Sequence, residues 1–260
     1  MKIFDSHCHL DDKSYAKDLN AVLDRARKAG VIRMMTIGVN GRTSGQAVSL
    51  AQSHEGIYAS VGVHPHDVKN CSESILHYLM GLAKSDKVRA WGEIGLDFNR
   101  MYSPEKDQEK WFERQLEIAG RLGLPMIFHE RDSSGRFLEI LKSQSLAEIN
   151  GVVHCFSGNR QELDQYLALG LHIGITGIIT MKSRGAQLRE LALIIPADRL
   201  LVETDAPYLV PAPERKRSRR NEPAFVKSVL LKLAEVRKEN PQELAQIVWQ
   251  NTCRRYGLEA

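Results

Sequence analysis

The amino-acid sequence predicts an α/β fold, specifically a (β/α)8 TIM barrel with additional C-terminal helices. Short apolar segments alternate with amphipathic ones, and the short segments are apolar on both faces, as parallel strands covered by helices are. Eight such pairs fit within 260 residues, a usual size for this barrel. The alternative is an open doubly wound sheet, which is disfavoured because no glycine-rich phosphate loop follows the first predicted strand.

The predicted elements follow one another regularly along the chain. In order, the predicted strands cover residues 2–6, 32–37, 57–63, 88–94, 125–129, 151–154, 172–175 and 200–203. The predicted helices, which have apolar residues at helical spacing, cover residues 15–29, 42–53, 72–84, 105–122, 135–142, 160–169 and 186–194. Pro104 suits a first helical turn, and Gly30, Gly123 and Gly170 suit helix C-termini. Two more helices, near 224–239 and 241–256, complete the prediction.

The composition is that of an ordinary globular chain, and we expect one domain over residues 1–260. Hydrophobic residues make up 43% and charged residues 26%, and the net charge of +4 gives a mild preference for anionic partners. The four cysteines form no CxxC pair, which is typical of reduced thiols in the cytosol. Neither a signal-peptide core nor a bilayer-length apolar run is present. We therefore expect a cytoplasmic protein without membrane partners. We also expect a monomer, although no sequence feature fixes the oligomeric state.

The stretch FDSHCHL near the start of the chain places two histidines one residue apart on a predicted strand. Alternate side chains of a strand share a face, so Asp5, His7 and His9 are predicted to point one way. Ser6 and Cys8 are predicted to point the other way. Two neutral imidazoles on one face can bind a metal ion, although such a pair alone does not establish a site.

Six polar residues stand where predicted strands end, namely His7, His9, Glu93, His129, His154 and Asp205. The C-terminal ends of strands in a parallel barrel share one rim, where active sites lie. Taken singly, each residue has a structural interpretation; Glu93, for example, would pair with Arg131, and Asp205 would cap a helix. The convergence of six on one rim instead favours a metal site.

Four imidazoles and two carboxylates can hold two divalent cations, with Mg, Mn and Zn all compatible with such donors. Two cations about 3.5–4 Å apart would lower the pKa of a water and clamp an oxyanion. We predict hydrolysis, with Glu93 and Asp205 as the catalytic carboxylates and Asp205 as general base.

Seven motifs carry a resemblance to a known family. In order, they are FDSHCHL, GVHPH, GEIGLDF, HERD, HCFSG, ETDAPYL and RRNEP. Together they resemble the TatD family of metal-dependent deoxyribonucleases, and the likeness extends from Ile3 to Tyr256. It implies an amidohydrolase-like TIM barrel, the same six metal ligands with Glu93 bridging, and hydrolysis of DNA from single-stranded 3′ ends. Glu130 departs from the small residue or Cys often found there, and strand alternation predicts that it faces away from the metals.

Candidate substrate contacts lie near the same rim. His64 and His66 in GVHPH are predicted to contact phosphate or donate a proton to the leaving oxygen, or else to be satisfied histidines of a proline-fixed loop. Arg131 can bind phosphate through its guanidinium fork. A salt bridge to Glu93 or Asp97 is the alternative.

The segment ERKRSRRNEP after the last predicted strand supplies further cations. Arg219 and Arg220 are predicted to bind the nucleic-acid backbone, although a solvated charged loop is the default for such a run. Tyr102 and Tyr208 in rim loops would stack bases or pack within their loops.

Three functions follow as hypotheses. The first is a metal-dependent phosphodiesterase on DNA, a 3′-to-5′ exonuclease acting on single-stranded ends. The second is an amidohydrolase-type enzyme for esters or amides, such as a D-aminoacyl-tRNA deacylase. The third is a metal-stabilised binding protein without turnover.

Overall fold

The structure is a computed structural model that describes residues 1–144 and 149–260. Over these residues, eight parallel strands form one sheet in which each strand pairs with the next along the chain. In order they are β1 (Ile3–Cys8), β2 (Val31–Ile37), β3 (Ile57–Val61), β4 (Val88–Asp97), β5 (Met126–Arg131), β6 (Gly151–Val153), β7 (His172–Ile175) and β8 (Leu200–Val202). Between β8 and β1, the His9 N–H donates to the Ala206 carbonyl at 2.7 Å, which nearly closes the barrel. The predicted TIM barrel is confirmed.

Helices cover the outside of the sheet. They are α1 (Leu19–Ala29), α2 (Gly41–Ser53), α3 (Glu73–Leu82), α4 (Glu105–Leu122), α5 (Arg136–Ser143), α6 (Arg160–Ala168), α7 (Ala186–Ala192), α8 (Val226–Arg237) and α9 (Pro241–Arg255). The first one starts later than predicted, because residues 13–15 form a separate 3-10 turn capped by Asp12, whose side chain accepts from the Ser14 N–H at 2.7 Å. None of the helices in the described ranges is both long and apolar enough to cross a membrane.

Helix α9 closes the N-terminal end of the barrel. The ring of Phe4, which is 1% exposed, lies 6.2 Å from Trp249 and 5.9 Å from Tyr256 between ring centroids. The Tyr256 hydroxyl donates to the Ser6 carbonyl at 3.4 Å. Apolar packing therefore fills this end of the barrel. The polar side chains gather at the opposite end, where the strands finish.

Candidate metal centre

Six side chains at the ends of five strands converge on one point of the rim. They are His7 from β1, His9 directly after β1, Glu93 from β4, His129 from β5, His154 directly after β6 and Asp205 after β8. The structure thus brings together all six residues singled out in the sequence. We call this set the histidine–carboxylate cluster.

The carboxylate of Glu93 lies at the middle of the cluster, and its two oxygens face different histidines. Its Oε2 is 3.4 Å from His7 Nε2. Its Oε1 is 2.9 Å from His129 Nδ1 and 3.4 Å from His154 Nε2. Glu93 is 3% exposed, so little water competes for these contacts. One carboxylate therefore separates the cluster into two halves, which is the position of a bridging ligand.

Asp205 completes the half that contains the β1 histidines. Its Oδ1 lies 3.3 Å from His9 Nε2 and 3.7 Å from His7 Nε2. The loop that carries Asp205 is held by Asp5, whose carboxylate accepts from the Thr204 N–H at 2.8 Å and from its hydroxyl at 2.6 Å. Asp5 is thus an anchor for Thr204. The prediction that Asp5 points the same way as His7 and His9 is wrong. It assumed a regular strand with alternating side chains, whereas the β1–β2 register shifts between Asp5 and Cys8.

Glycine allows β4 to approach the neighbouring ligand strand closely. Gly95 has a φ of +142°, and a Cβ atom there would lie 1.9 Å from the His129 carbonyl oxygen. Any other residue would therefore be strained and would push β5 outward. Two residues before it on the same strand stands Glu93, so this close approach sets the distance between Glu93 and His129.

The histidines and carboxylates of the cluster stabilise each other's charged forms. Burial raises the pKa of Glu93, but the positive field of His154 and hydrogen bonds from His129 and His64 hold that pKa well below its usual range. Burial lowers the pKa of His154, yet Glu93 and Glu203 outweigh it and raise that pKa to about 10. The negative potential that favours positive charge on this imidazole equally favours a divalent cation.

The donor set fits a metal ion, and His7 gives the sharpest indication. Its ring is fully buried, and within the part of the chain that the structure describes neither ring nitrogen has a hydrogen-bond partner. An unpaired buried polar group costs about 1–3 kcal/mol. A cation between His7 Nε2 and the carboxylates of Glu93 and Asp205 would satisfy that nitrogen. Ligand atoms within 4.8 Å of one another occur in the triads His7–His9–Glu93 and Glu93–His129–His154, and such nitrogen and oxygen donors suit Zn or Mn.

His64 lies beside the cluster as a hydrogen-bond donor. Its Nδ1 accepts from the His66 N–H at 3.0 Å, so the neutral ring carries its hydrogen on Nε2. That Nε2 is 3.3 Å from Glu93 Oε1, and burial lowers the pKa of His64 to about 4. His64 therefore presents a neutral N–H to the cluster. His66 Nε2 instead faces Asp97 Oδ2 at 2.7 Å.

Glu130 and Arg131, which follow His129, lie in different environments: one is hydrogen-bonded within its loop and the other is exposed to solvent. Glu130 accepts from the Ser133 N–H at 3.1 Å and from its hydroxyl at 2.7 Å, and so it is engaged away from the cluster. The Arg131 side chain is 42% exposed, and its Nε lies 4.0 Å from Asp132 Oδ2. Among the residues described, the alternative ion pairs with Glu93 or Asp97 do not form, so the guanidinium stays accessible at the rim.

Arg220 has a structural role that the sequence did not indicate. Its guanidinium binds both oxygens of Asp18, at 2.8 and 2.7 Å, and lies 4.8 Å from the centroid of the Tyr15 ring. A fork occupied by a carboxylate offers little to a phosphate. The expectation that Arg220 contacts substrate is therefore unsupported by this arrangement. Arg219, by contrast, is exposed.

Two loops that follow neighbouring strands contact each other and carry further exposed cations. The loop after β7 and the loop after β8 are joined by the Ala212 N–H, which donates to Thr180 Oγ1 at 2.8 Å, and by Arg215, whose Nη2 lies 3.5 Å from Met181 Sδ. Besides Arg215, whose Nε donates to the Val210 carbonyl at 2.9 Å, the exposed cations that they carry are Lys182, Arg184, Lys216, Arg217 and Arg219. We call these five residues the basic rim surface. Lys182 and Arg184 were missed in the sequence, although their position after a strand end would have placed them on this rim.

Exposed tyrosines flank the cluster on two sides. Tyr102 is 55% exposed and meets His66 edge to face at 4.8 Å between centroids. Tyr208 is also 55% exposed and meets His9 at 5.8 Å. Each ring therefore borders a histidine of the site while leaving much of its face open to solvent, as a surface that stacks bases must.

Comparisons with known proteins show the family to which this chain belongs. A family model described as TatD related DNase matches residues 4–257. The protein of Pectobacterium carotovorum subsp. carotovorum (strain PC1) named 3'-5' ssDNA/RNA exonuclease TatD is 42% identical over 259 residues, covering 98% of this chain and 100% of its own. A protein of the same name from Erwinia tasmaniensis is 44% identical over 259 residues, with 98% and 100% covered. The crystal structure of YJJV, a TatD homolog from Escherichia coli K12, has a TM-score of 0.90 at 32% identity, with 99% of this chain and 98% of that chain covered. This chain belongs to the TatD family of DNases.

Proposed function

We propose that this protein is a metal-dependent exonuclease that hydrolyses phosphodiester bonds at single-stranded 3′ ends of DNA, and of RNA, with two divalent cations. One observation carries the proposal: the two oxygens of buried Glu93 face separate groups of histidines, one on each side. The polarity and the single-stranded preference follow the names of the relatives. Mg, Mn and Zn are the candidate ions, because all three suit nitrogen and oxygen donors of this kind.

The chemistry of the cluster suits hydrolysis. Bound divalent cations would polarise a phosphate and lower the pKa of a nearby water. Burial raises the pKa of Asp205, but a hydrogen bond from His9 and the charges of His154 and His7 lower it below its usual value. Asp205 is therefore anionic at neutral pH and can accept the proton of the attacking water. The neutral N–H of His64 can donate to a phosphate oxygen or to the leaving oxygen.

The surroundings of the cluster suit a strand end. Tyr102 and Tyr208 can stack the last bases, and Arg131 with the basic rim surface can bind the phosphates that follow. None of these contacts selects a base edge, so we expect little sequence specificity. We also propose that the protein acts as a monomer in the cytoplasm; the cytoplasmic location follows from its cysteine pattern.

A panel of end-labelled substrates tests this function. With Mg2+, Mn2+ or Zn2+ supplied singly, we expect mononucleotide release from the 3′ end of single-stranded DNA and RNA, slower release from blunt duplex DNA, and none with chelator. The products are resolved on a denaturing gel, with the label on the 5′ end so that polarity is visible.

The same panel distinguishes the other hypotheses. D-aminoacyl-tRNA is included because the basic rim surface fits any polyanion and does not separate tRNA from DNA. Faster deacylation of this substrate than release of nucleotides would favour the amidohydrolase-type function. Tight binding of DNA without cleavage under any of the cations would favour a binding protein and contradict the exonuclease.

A further inference from the structure

Two buried carboxylates stand behind the cluster, outside its six members. Asp97 and Glu203 are each 1% exposed. The Asp97 carboxylate lies 3.0 Å from His129 Nε2 through Oδ2, and Glu203 Oε1 lies 3.0 Å from His154 Nδ1. Each thus contacts the outward ring nitrogen of a histidine whose other nitrogen faces Glu93.

Both carboxylates are held firmly by groups that are not part of the cluster. Asp97 Oδ1 accepts from the N–H groups of Asn99 at 3.0 Å and Arg100 at 2.8 Å. Glu203 Oε1 accepts from the Cys155 N–H at 2.6 Å. On β7, Gly174 leaves room for this carboxylate, since a Cβ there would lie 2.6 Å from Glu203 Oε2. The fold therefore fixes where each carboxylate oxygen points.

The direction of these hydrogen bonds determines which ring nitrogen of His129 and of His154 can bind a cation. A neutral imidazole has one N–H and one lone pair, and a carboxylate only accepts hydrogen bonds. Without a cation, His129 also donates from Nδ1 to Glu93 Oε1 at 2.9 Å. A cation bound at Glu93 would displace the proton on that side of each ring, and the hydrogen that stays would lie on His129 Nε2 toward Asp97 and on His154 Nδ1 toward Glu203. The lone pairs would then point inward from His129 Nδ1 and His154 Nε2, which lie 2.9 and 3.4 Å from Glu93 Oε1.

We propose that Asp97 and Glu203 are positioning residues that fix the tautomers of His129 and His154, so that a cation is bound through Nδ1 of the first and Nε2 of the second. The proposal rests on the cluster's being a metal site, as the proposed function requires. His64 has the opposite arrangement and is therefore not expected to bind a cation. Its Nδ1 already accepts a backbone N–H, so it turns a hydrogen toward Glu93 and has no lone pair to offer there.

Asp97 also connects the ligand side of the cluster to the substrate side. The oxygen that contacts His129 lies 2.7 Å from Nε2 of His66, whose side chain is 29% exposed at the rim. One buried carboxylate thus orients both a ligand and a residue within reach of substrate. A change at Asp97 should therefore affect the cluster more than a change at Glu203.

The test is binding of Zn2+ alone, measured by calorimetry with a competing chelator. In Asp97→Asn, the two backbone N–H groups keep the amide oxygen, so the amide NH2 faces His129 and moves its hydrogen to Nδ1. We expect Zn2+ affinity to fall about 10–100-fold.

Two further variants serve for comparison. In Glu203→Gln, the amide oxygen facing the Cys155 N–H can still accept from His154, and we expect a smaller loss of Zn2+ affinity. Glu130→Gln is the control, because its carboxylate sits next to His129 in sequence but bonds to Ser133; we expect it to match the unmodified protein.

A second measurement does not depend on any variant. In Zn2+-loaded protein, long-range 1H–15N correlation spectra should show His129 coordinating through Nδ1 and His154 through Nε2. Coordination of His129 through Nε2, or Zn2+ affinity of folded Asp97→Asn equal to that of Glu130→Gln, would overturn the proposal. Neither readout uses nucleic acid, so these results stand apart from whether the protein proves to be an exonuclease.

Discussion

Glu93→Gln should abolish hydrolysis while leaving the protein folded. The amide keeps the volume of the side chain but loses the negative charge that both halves of the cluster share. It also turns an NH2 group toward histidines on one side, where a cation would be repelled. Loss of several kcal/mol of charge stabilisation corresponds to about 10³-fold or more in kcat.

The measurement is single-turnover cleavage of 5′-labelled single-stranded DNA at saturating Mn2+, with circular dichroism and thermal melting as checks on folding. Glu130→Gln on the neighbouring strand is the matched control and should cleave at the rate of the unmodified protein. If Glu93→Gln cleaves within about 10-fold of this control, Glu93 is not a shared ligand.

Asp205→Asn should reduce kcat by about 10²–10⁴-fold, the usual contribution of a general base. Asparagine is close in size and keeps one oxygen toward His9, but it cannot accept a proton from water. We expect KM for single-stranded DNA to change little, because the phosphate contacts proposed for Arg131 and the basic rim surface are untouched.

Steady-state kinetics with a labelled oligonucleotide separates the two parameters. Asp164→Asn, on the exposed face of α6, is the control for a neutralised carboxylate. A rise in KM with kcat unchanged would assign Asp205 to substrate binding instead. Mn2+ affinity should fall less in Asp205→Asn than in Glu93→Gln, because Glu93 contacts both halves of the cluster.

The fold and the cluster could be predicted because both follow from chain-local patterns. Strand ends in a parallel barrel share one rim, so His7, Glu93 and His154 could be grouped without knowing any distance. The family motifs reinforced the same assignment. What remained open in the sequence was the partner of each polar side chain.

Those partners depend on residues far away in the chain. Asp5 anchors Thr204, and Arg220 pairs with Asp18, although each pair is about 200 residues apart. The role of Glu203 likewise depends on His154, which a different strand supplies. No periodicity reports such pairs, so sequence analysis placed Arg220 among the phosphate contacts and gave Glu203 no role.

The most direct test of the two-cation site is anomalous diffraction from crystals soaked in Mn2+. The account predicts two peaks flanking Glu93, one bounded by His7, His9 and Asp205 and the other by His129 and His154. A single peak between His64, His66 and His129, or none in contact with Glu93, would contradict it.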